Sequence, residues 1–231
     1  MSAPAHTLDL PHGFDTKKTS AIAAPESAAA EHFRVLLQRI DSAPRPVRVV
    51  AVTSSARGEG RTTIAANLAL TASREGRDVA LVECDVRRPS LAAALELAPR
   101  AGLAEVVQGQ AELSQALTRS SSLAILAAGD ARDPGAILRS ARLGATIDTL
   151  RSQFSLVILD VPPALAFADA GRLAAAADGV LLVVRAGQTP RQVVRMAVEY
   201  VGPRLLGVVL NDVDTAAALH GRYLYADPAT A

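Results

Sequence analysis

Six short, almost uninterrupted aliphatic runs, separated by segments of helical periodicity, restrict the fold of this chain more than any other feature. The runs cover residues 47–53, 78–84, 123–127, 156–160, 179–184 and 205–210. Hydrophobicity that is continuous rather than alternating marks strands covered on both faces. Helical patterns lie between the runs, for instance over 62–73, 134–153, 168–176 and 190–201. Another helix is predicted over 27–40, where Phe33, Leu36, Leu37 and Ile40 have i, i+3, i+4, i+7 spacing before Pro44 and Pro46. Strand and helix alternating in this way predict an α/β fold: a parallel sheet with right-handed crossovers and helices on both faces. In such sheets ligands sit beyond the carboxyl ends of the strands, so the residues that follow each run carry the functional information.

With 231 residues, half of them hydrophobic, the chain can bury one good core. The expected layout is a flexible leader over 1–25, one domain over 26–215 and a flexible tail over 216–231. The leader is read from Pro4, Pro11, Gly13, Pro25 and scattered polar groups. The 24 basic and 23 acidic residues leave a net charge of +1, which gives no reason to expect a nucleic acid partner. Aromatics at 3%, with no tryptophan, also argue against base-stacking platforms. Cys84 is the only cysteine and has no intrachain partner, which suits a reducing compartment. Residues 1–20 lack the apolar centre of a secretory signal, and no stretch approaches the ~20 apolar residues of a spanning helix. The protein is expected to be cytoplasmic, with any membrane role supplied through a partner.

The first run opens into Ser54-Ser55-Ala56-Arg57-Gly58-Glu59-Gly60-Arg61-Thr62-Thr63, followed by a helical pattern. Strand, glycine-bearing loop and helix N-terminus form a phosphate-binding arrangement, because loop N–H groups and the positive helix end converge on one anion. Gly58 and Gly60 allow the tight backbone path, and Thr62 falls where a hydroxyl would ligand Mg²⁺. Two positions depart from G-x-x-x-x-G-K-[ST]: Ser55 replaces the first glycine and Arg61 replaces the lysine. Arginine keeps the charge but is a wide planar fork rather than a compact ammonium. The alternative for the loop by itself is an ordinary strand–helix turn.

Acidic residues stand at the ends of two other runs: Glu83 and Asp85 after the second, Asp160 after the fourth. A carboxylate at the end of a buried strand is costly unless paired, and Mg²⁺ beside a phosphate loop is a common solution. Each acid singly is equally well a cap or a salt-bridge partner. Three at two strand ends expected to flank the loop favour the metal.

These motifs resemble the bacterial tyrosine autokinases. The loop over 54–63, followed by Asn67-Leu68-Ala69, is similar to their Walker A segment. Glu83-Cys84-Asp85-Val86-Arg87-Arg88-Pro89 resembles their D-x-D-x-R-R-P motif, and 156–163 resembles their Walker B, which ends D-[ST]-P-P. Stretches 102–109, 126–140, 178–187 and 206–211 continue the likeness over about residues 25–215, in the family's order. The fold implied is a P-loop NTPase-like sheet. The resemblance implies ATP and Mg²⁺ as cofactors, with nucleotide held by Ser55, Arg57, Gly58, Glu59, Gly60, Arg61, Thr62 and Thr63. It places Thr62, Asp85 and Asp160 around the metal and makes Arg61, Glu83, Asp85 and Asp160 the catalytic set, with Glu83 or Asp85 as base. Tyr223 and Tyr225 in the tail would be the phosphate acceptors. The 26–41 helix would serve ring assembly through Glu31 and Arg34, although Leu37 stands where the family has its second arginine; a solvated i,i+3 pair is the alternative. The partner implied is a membrane polysaccharide co-polymerase that recruits the protein to the inner membrane face and completes the ATP site.

Arg61, Glu83 for the family's Asp, Val161 for its hydroxyl and only two tail tyrosines are departures. They keep open a second reading, a catalytically impaired scaffold of the same machinery. A more distant one is a spatial-positioning ATPase, whose additional loop lysine is here Ala56.

Overall fold

The computed structural model describes residues 24, 27–98 and 100–213. The first helix, α1 (Ala28–Asp41), starts at Ser27, whose Oγ accepts a hydrogen bond from the Ala30 N–H at 3.2 Å. It is followed by β1 (Val49–Ser54), α2 (Arg61–Arg74), β2 (Val79–Glu83) and the one-turn α3 (Leu91–Ala94). Next come α4 (Leu103–Gln108), α5 (Leu113–Ala116), β3 (Thr118–Ser120) and β4 (Leu123–Leu126). The remainder is α6 (Pro134–Arg139), α7 (Ala141–Gln153), β5 (Leu156–Asp160), α8 (Ala168–Ala176), β6 (Gly179–Arg185), α9 (Arg191–Val201) and β7 (Leu205–Asn211).

The strands form one sheet in the order β3-β4-β2-β5-β1-β6-β7. Every neighbouring pair is parallel except β3 with β4. Alternate side chains of each run go to opposite layers, which is why the runs are apolar throughout. On one face Val50, Val52, Leu81, Ile125, Ile158 and Val183 meet Leu37 and Ile40 of α1 and the Ile64–Ala72 stretch of α2. On the other, Val49, Ala51, Val82, Leu126, Val157 and Leu159 meet α4, α6, α7 and α8. A P-loop-type α/β fold is therefore present, with all six apolar runs as strands.

Four features differ from the sequence expectation. First, β2 does not flank β1; β5 lies between them, so the loop after β1 has Asp160 beside it and Glu83 one strand further away. Second, the helical pattern over 134–153 is two helices. Ser140 has extended backbone at φ −66°, ψ 136°, and its Oγ accepts from the Arg142 N–H, so it ends α6 and caps α7. Third, β3 is a polar three-residue edge strand with no apolar run to announce it. Fourth, β7 is an edge strand: Val208 and Leu210 are 44% and 62% exposed, so this run is not covered on both faces. The leader expected over 1–25 falls, apart from Ala24, outside the described residues, as does the tail over 216–231 with Tyr223 and Tyr225.

Asp178 fastens the amino edge of the sheet. Its Oδ2 accepts from the N–H groups of Arg48 (2.9 Å) and Val49 (2.8 Å), and its Oδ1 from Arg151 Nη1 of α7 at 2.6 Å. Burial pushes the carboxyl pKa up, but the Arg151 bond and the two backbone donors outweigh it and hold the value below the usual range. A depressed carboxyl contributes stability that is present above its unfolded pKa and lost as pH falls through the folded one. Asp178→Asn should cost roughly 1–2 kcal/mol at pH 7. Urea melts across pH should show the deficit shrinking only below about pH 4.

Candidate functional site

The site lies at the carboxyl edge, where β1, β2 and β5 end. After β1 the backbone turns through Gly58 (φ +76°) and Gly60 (φ +90°), both in the left-handed region that glycine adopts without penalty. A Cβ at Gly60 would also run into Asn211 Nδ2. Gly60 is the N-cap of α2 and offers no side-chain cap, while Ile64 N–H already bonds back to Gly60 O at 2.9 Å. The first N–H groups of α2 have no intrahelical acceptor by geometry, and the helix dipole adds positive potential there. The loop is thus shaped for an anion.

Glu59 braces this loop. The side chain is buried; Oε2 accepts from the Ala56 N–H at 2.8 Å and Oε1 accepts from the Thr189 hydroxyl, in the turn after β6. The Glu59 carbonyl accepts from Asn211 Nδ2, the last residue of β7, at 2.9 Å. Ser54 and Ser55 are buried at the root of the loop, whereas Ala56, Arg57 and Gly58 form its exposed crest. Ser54, Thr189 and Asn211 were not among the expected site residues. Thr189 and Asn211 follow apolar runs, so the rule that led to Asp160 also points to them.

Four of the expected side chains converge. Thr62 Oγ1 donates to Asp160 Oδ2 at 2.6 Å, and Arg61 Nη2 lies 2.9 Å from Asp85 Oδ2. Arg61 Nε is 3.9 Å from Asp160 Oδ1, and its Nη1 donates to Ser54 Oγ at 3.4 Å. Glu83 has a different setting. Completely buried, it accepts from the N–H groups of Ser90, Leu91 (2.7 Å) and Ala128 (3.1 Å), and so ties the turn after β2 to the end of β4. Both of its oxygens are occupied by backbone donors. Arg87 places its guanidinium 4.8 Å from the centre of the Phe167 ring.

Burial governs the electrostatics. It pushes the Asp160 carboxyl up to about 7, against the Thr62 bond and the Arg61 charge, which favour the anion. Asp85 is also raised, chiefly by burial, with Arg61 and Arg57 opposing. Cys84, enclosed between them, has its thiol pushed far up by burial and then by the charges of Asp160, Glu83 and Asp85. It is a packing residue without thiolate character.

Fit to a divalent cation is testable on these atoms. Asp85 Oδ1, Asp160 Oδ1 and Ser55 Oγ are buried without a hydrogen-bond partner among the described residues. No group of three or more His, Cys, Asp or Glu side chains converges among the described residues. Two carboxylates and a threonine hydroxyl are too few for a protein-only cage but match Mg²⁺, which keeps waters and phosphate oxygens in its shell. The donor set fits. Glu31 and Arg34 form an exposed i,i+3 pair at 2.8 Å, and Arg34 Nε also lies 3.7 Å from Glu75. Leu37, at the position of the resembled family's second arginine, is buried against α2.

Residues 50–225 match the family described as CobQ/CobB/MinD/ParA nucleotide binding domain. Tyrosine-protein kinase YwqD of Bacillus subtilis (strain 168) is 32% identical, over 83% of this chain and 84% of its own length. The chain belongs to the bacterial tyrosine autokinase family of P-loop proteins. The succinoglycan biosynthesis transport protein ExoP of Rhizobium meliloti (strain 1021) is 34% identical over 83% of the chain, which spans only 26% of that relative. The crystal structure of the chimerical protein CapA2B2 superposes with a TM-score of 0.76 at 30% identity, covering 80% of this chain and 85% of that one. Within this autokinase family the departures at Arg61 and Glu83 now have a structural setting: Arg61 pairs with Asp85, and Glu83 is fastened by backbone donors.

A raised carboxyl pKa means that the folded chain binds a proton the unfolded chain has released, so Asp160 costs stability as pH rises from about 4 to 7. Asp160→Asn removes that cost and keeps an acceptor for Thr62. The nucleotide-free variant should melt a few degrees above wild type at pH 8, the gap closing on the order of pH 4–5. Differential scanning calorimetry across pH checks both the sign and the closure.

Proposed function

We propose that this chain binds ATP with Mg²⁺ and acts as a protein-tyrosine autokinase in a polysaccharide synthesis and export system. The observation that carries this reading is the meeting of Thr62, Asp85 and Asp160 at the N-terminus of α2, beside a left-handed glycine loop. Ser55, Arg57, Gly58, Glu59, Gly60, Arg61, Thr62 and Thr63 would surround the phosphates through loop N–H groups, with Glu59 holding the loop's shape. Mg²⁺, when bound by Thr62, Asp85 and Asp160, neutralises charge on the phosphate oxygens. Asp85 supplies the base: its Oδ1 has no hydrogen-bond partner among the described residues, and its raised pKa suits it to take a proton from a tyrosine hydroxyl. Glu83, engaged by three backbone donors, positions the segment that carries Asp85 rather than accepting protons itself.

Tyr223 and Tyr225 are the proposed acceptors, reached between neighbouring copies in a ring that uses the exposed Glu31–Arg34 face of α1. Among the described residues no helix is long and apolar enough to cross a membrane. We assign recruitment to the inner membrane face to a membrane co-polymerase partner. The relative ExoP, a succinoglycan biosynthesis transport protein, supports that assignment.

A second reading, a scaffold that holds nucleotide without turnover, is favoured by one observation: the Arg61 guanidinium is committed to Asp85, the proposed base and metal ligand. Labelled ATP with Mg²⁺, the whole chain and the partner's cytoplasmic tail discriminate between them. Phosphotyrosine at Tyr223 or Tyr225 is expected, falling by roughly 10²–10⁴-fold in Asp85→Asn. ATP binding by calorimetry with no label at either tyrosine gives the scaffold reading instead.

A further inference from the structure

Arg61 does not lie along the phosphate loop. Its guanidinium sits between two carboxylates, 2.9 Å from Asp85 Oδ2 with Nε 3.9 Å from Asp160 Oδ1. The three side chains are 13%, 8% and 0% exposed, so little solvent screens them. These are also the two carboxylates whose free oxygens, Asp85 Oδ1 and Asp160 Oδ1, fit a divalent ion. A guanidinium and a divalent cation in that space would be buried like charges, and arginine cannot relieve the repulsion by losing its proton. One of them has to leave. Within the pair the guanidinium is incompletely matched: Nε has no hydrogen-bond partner among the described residues, and the Nη1 contact to Ser54 is long at 3.4 Å. A buried ion pair with unfilled donors and acceptors is poorly compensated for its lost hydration. An arriving phosphate, with three oxygens for a planar fork, offers the guanidinium a better match.

We propose that Arg61 is an internal counter-ion of the Asp85–Asp160 pair and competes with the divalent cation for it. Without nucleotide the guanidinium holds both carboxylates and excludes the metal. The cation gains the pair only when the terminal phosphate of a bound nucleotide draws Arg61 away. The first half stands on the geometry alone; the second rests on the nucleotide-binding reading. A lysine at this position has a thinner, monodentate head and would compete less well for two carboxylates at once. Arginine here makes metal entry conditional on nucleotide.

Electron paramagnetic resonance of free Mn²⁺, titrated with the nucleotide-free whole chain, tests the first half. Wild type should leave the signal of the free ion unchanged, whereas Arg61→Met should bind Mn²⁺ at least roughly tenfold more tightly. Superimposable titrations, or tight Mn²⁺ binding by nucleotide-free wild type, overturn the proposal. Because removal of a buried charge can impair folding, Arg61→Lys is measured in parallel by calorimetry with a non-hydrolysable ATP analogue, with and without Mg²⁺. Wild-type affinity should rise by roughly tenfold or more on adding Mg²⁺, because a metal admitted only with nucleotide must in turn tighten nucleotide binding, and that of Arg61→Lys by less than about threefold. Equal Mg²⁺ dependence in the two proteins contradicts the competition. Absence of nucleotide binding in both, with Arg61→Met still gaining Mn²⁺, overturns the nucleotide reading and supports the counter-ion role.

Discussion

Asp160 carries a carboxylate into the middle of the sheet's carboxyl edge, and much of the site is arranged around making that tolerable. It ends β5, in register with Val52 of β1 and Glu83 of β2, and is completely buried. An ion in that position loses nearly all of its hydration. Thr62 returns one hydrogen bond and Arg61 part of an opposite charge, and to do so the first turn of α2 has to lie directly over the strand end. Arg61 in turn pairs with Asp85, so an ion-pair network joins the start of α2 to the ends of β2 and β5. The compensation is incomplete, since burial still holds the Asp160 carboxyl near 7. An under-compensated buried charge is characteristic of a site built for a ligand.

Glu83 shows the opposite solution at the same depth. Its carboxylate takes three backbone N–H donors from two separate segments, the Ser90–Leu91 turn and Ala128 beyond β4. Backbone donors buried nearby need acceptors as much as the carboxylate needs donors, so the arrangement satisfies both. A glutamate side chain, one methylene longer than aspartate, spans those segments. Two acids separated by a single residue are therefore unequal: one is a structural staple, the other keeps an oxygen with no hydrogen-bond partner among the described residues. Hydrogen-bond environment, not residue type, divides their roles.

The main architecture was legible because the central strands are buried on both faces and helical patterns separate them. That logic located β1, β2, β4, β5, β6 and β7 to within a residue or two. It misjudged β7, because an edge strand and a central strand share the same aliphatic run and differ only in what lies outside them. Strand order was not legible either: the insertion of β5 between β1 and β2 depends on how crossovers pack, which no local pattern encodes. The phosphate loop and the acids at the strand ends could be read from motif and position. The difference between Glu83 and Asp85 could not, since Ser90, Leu91 and Ala128 reach Glu83 only through the fold. Thr189 and Asn211 are distant in sequence from the loop they brace, 130 and 152 residues from Glu59.

That bracing separates the site into a fixed part and a displaceable one. The loop backbone is held from within by Glu59 and from outside by Thr189 and Asn211 on the β6–β7 side, through contacts that do not involve the metal-fitting oxygens. Thr62 and the strand ends are likewise set by helix and sheet geometry. The Arg61 guanidinium, unlike the loop braces, is held by groups that a ligand would also require, Asp85 and Asp160. A frame preorganised on rigid elements, with one cation whose acceptors are shared with the incoming ligand, can exchange that cation without rebuilding the loop. The arginine in place of lysine therefore changes which positive charge occupies the carboxylates first, while leaving intact the backbone cradle that the glycines and Glu59 define.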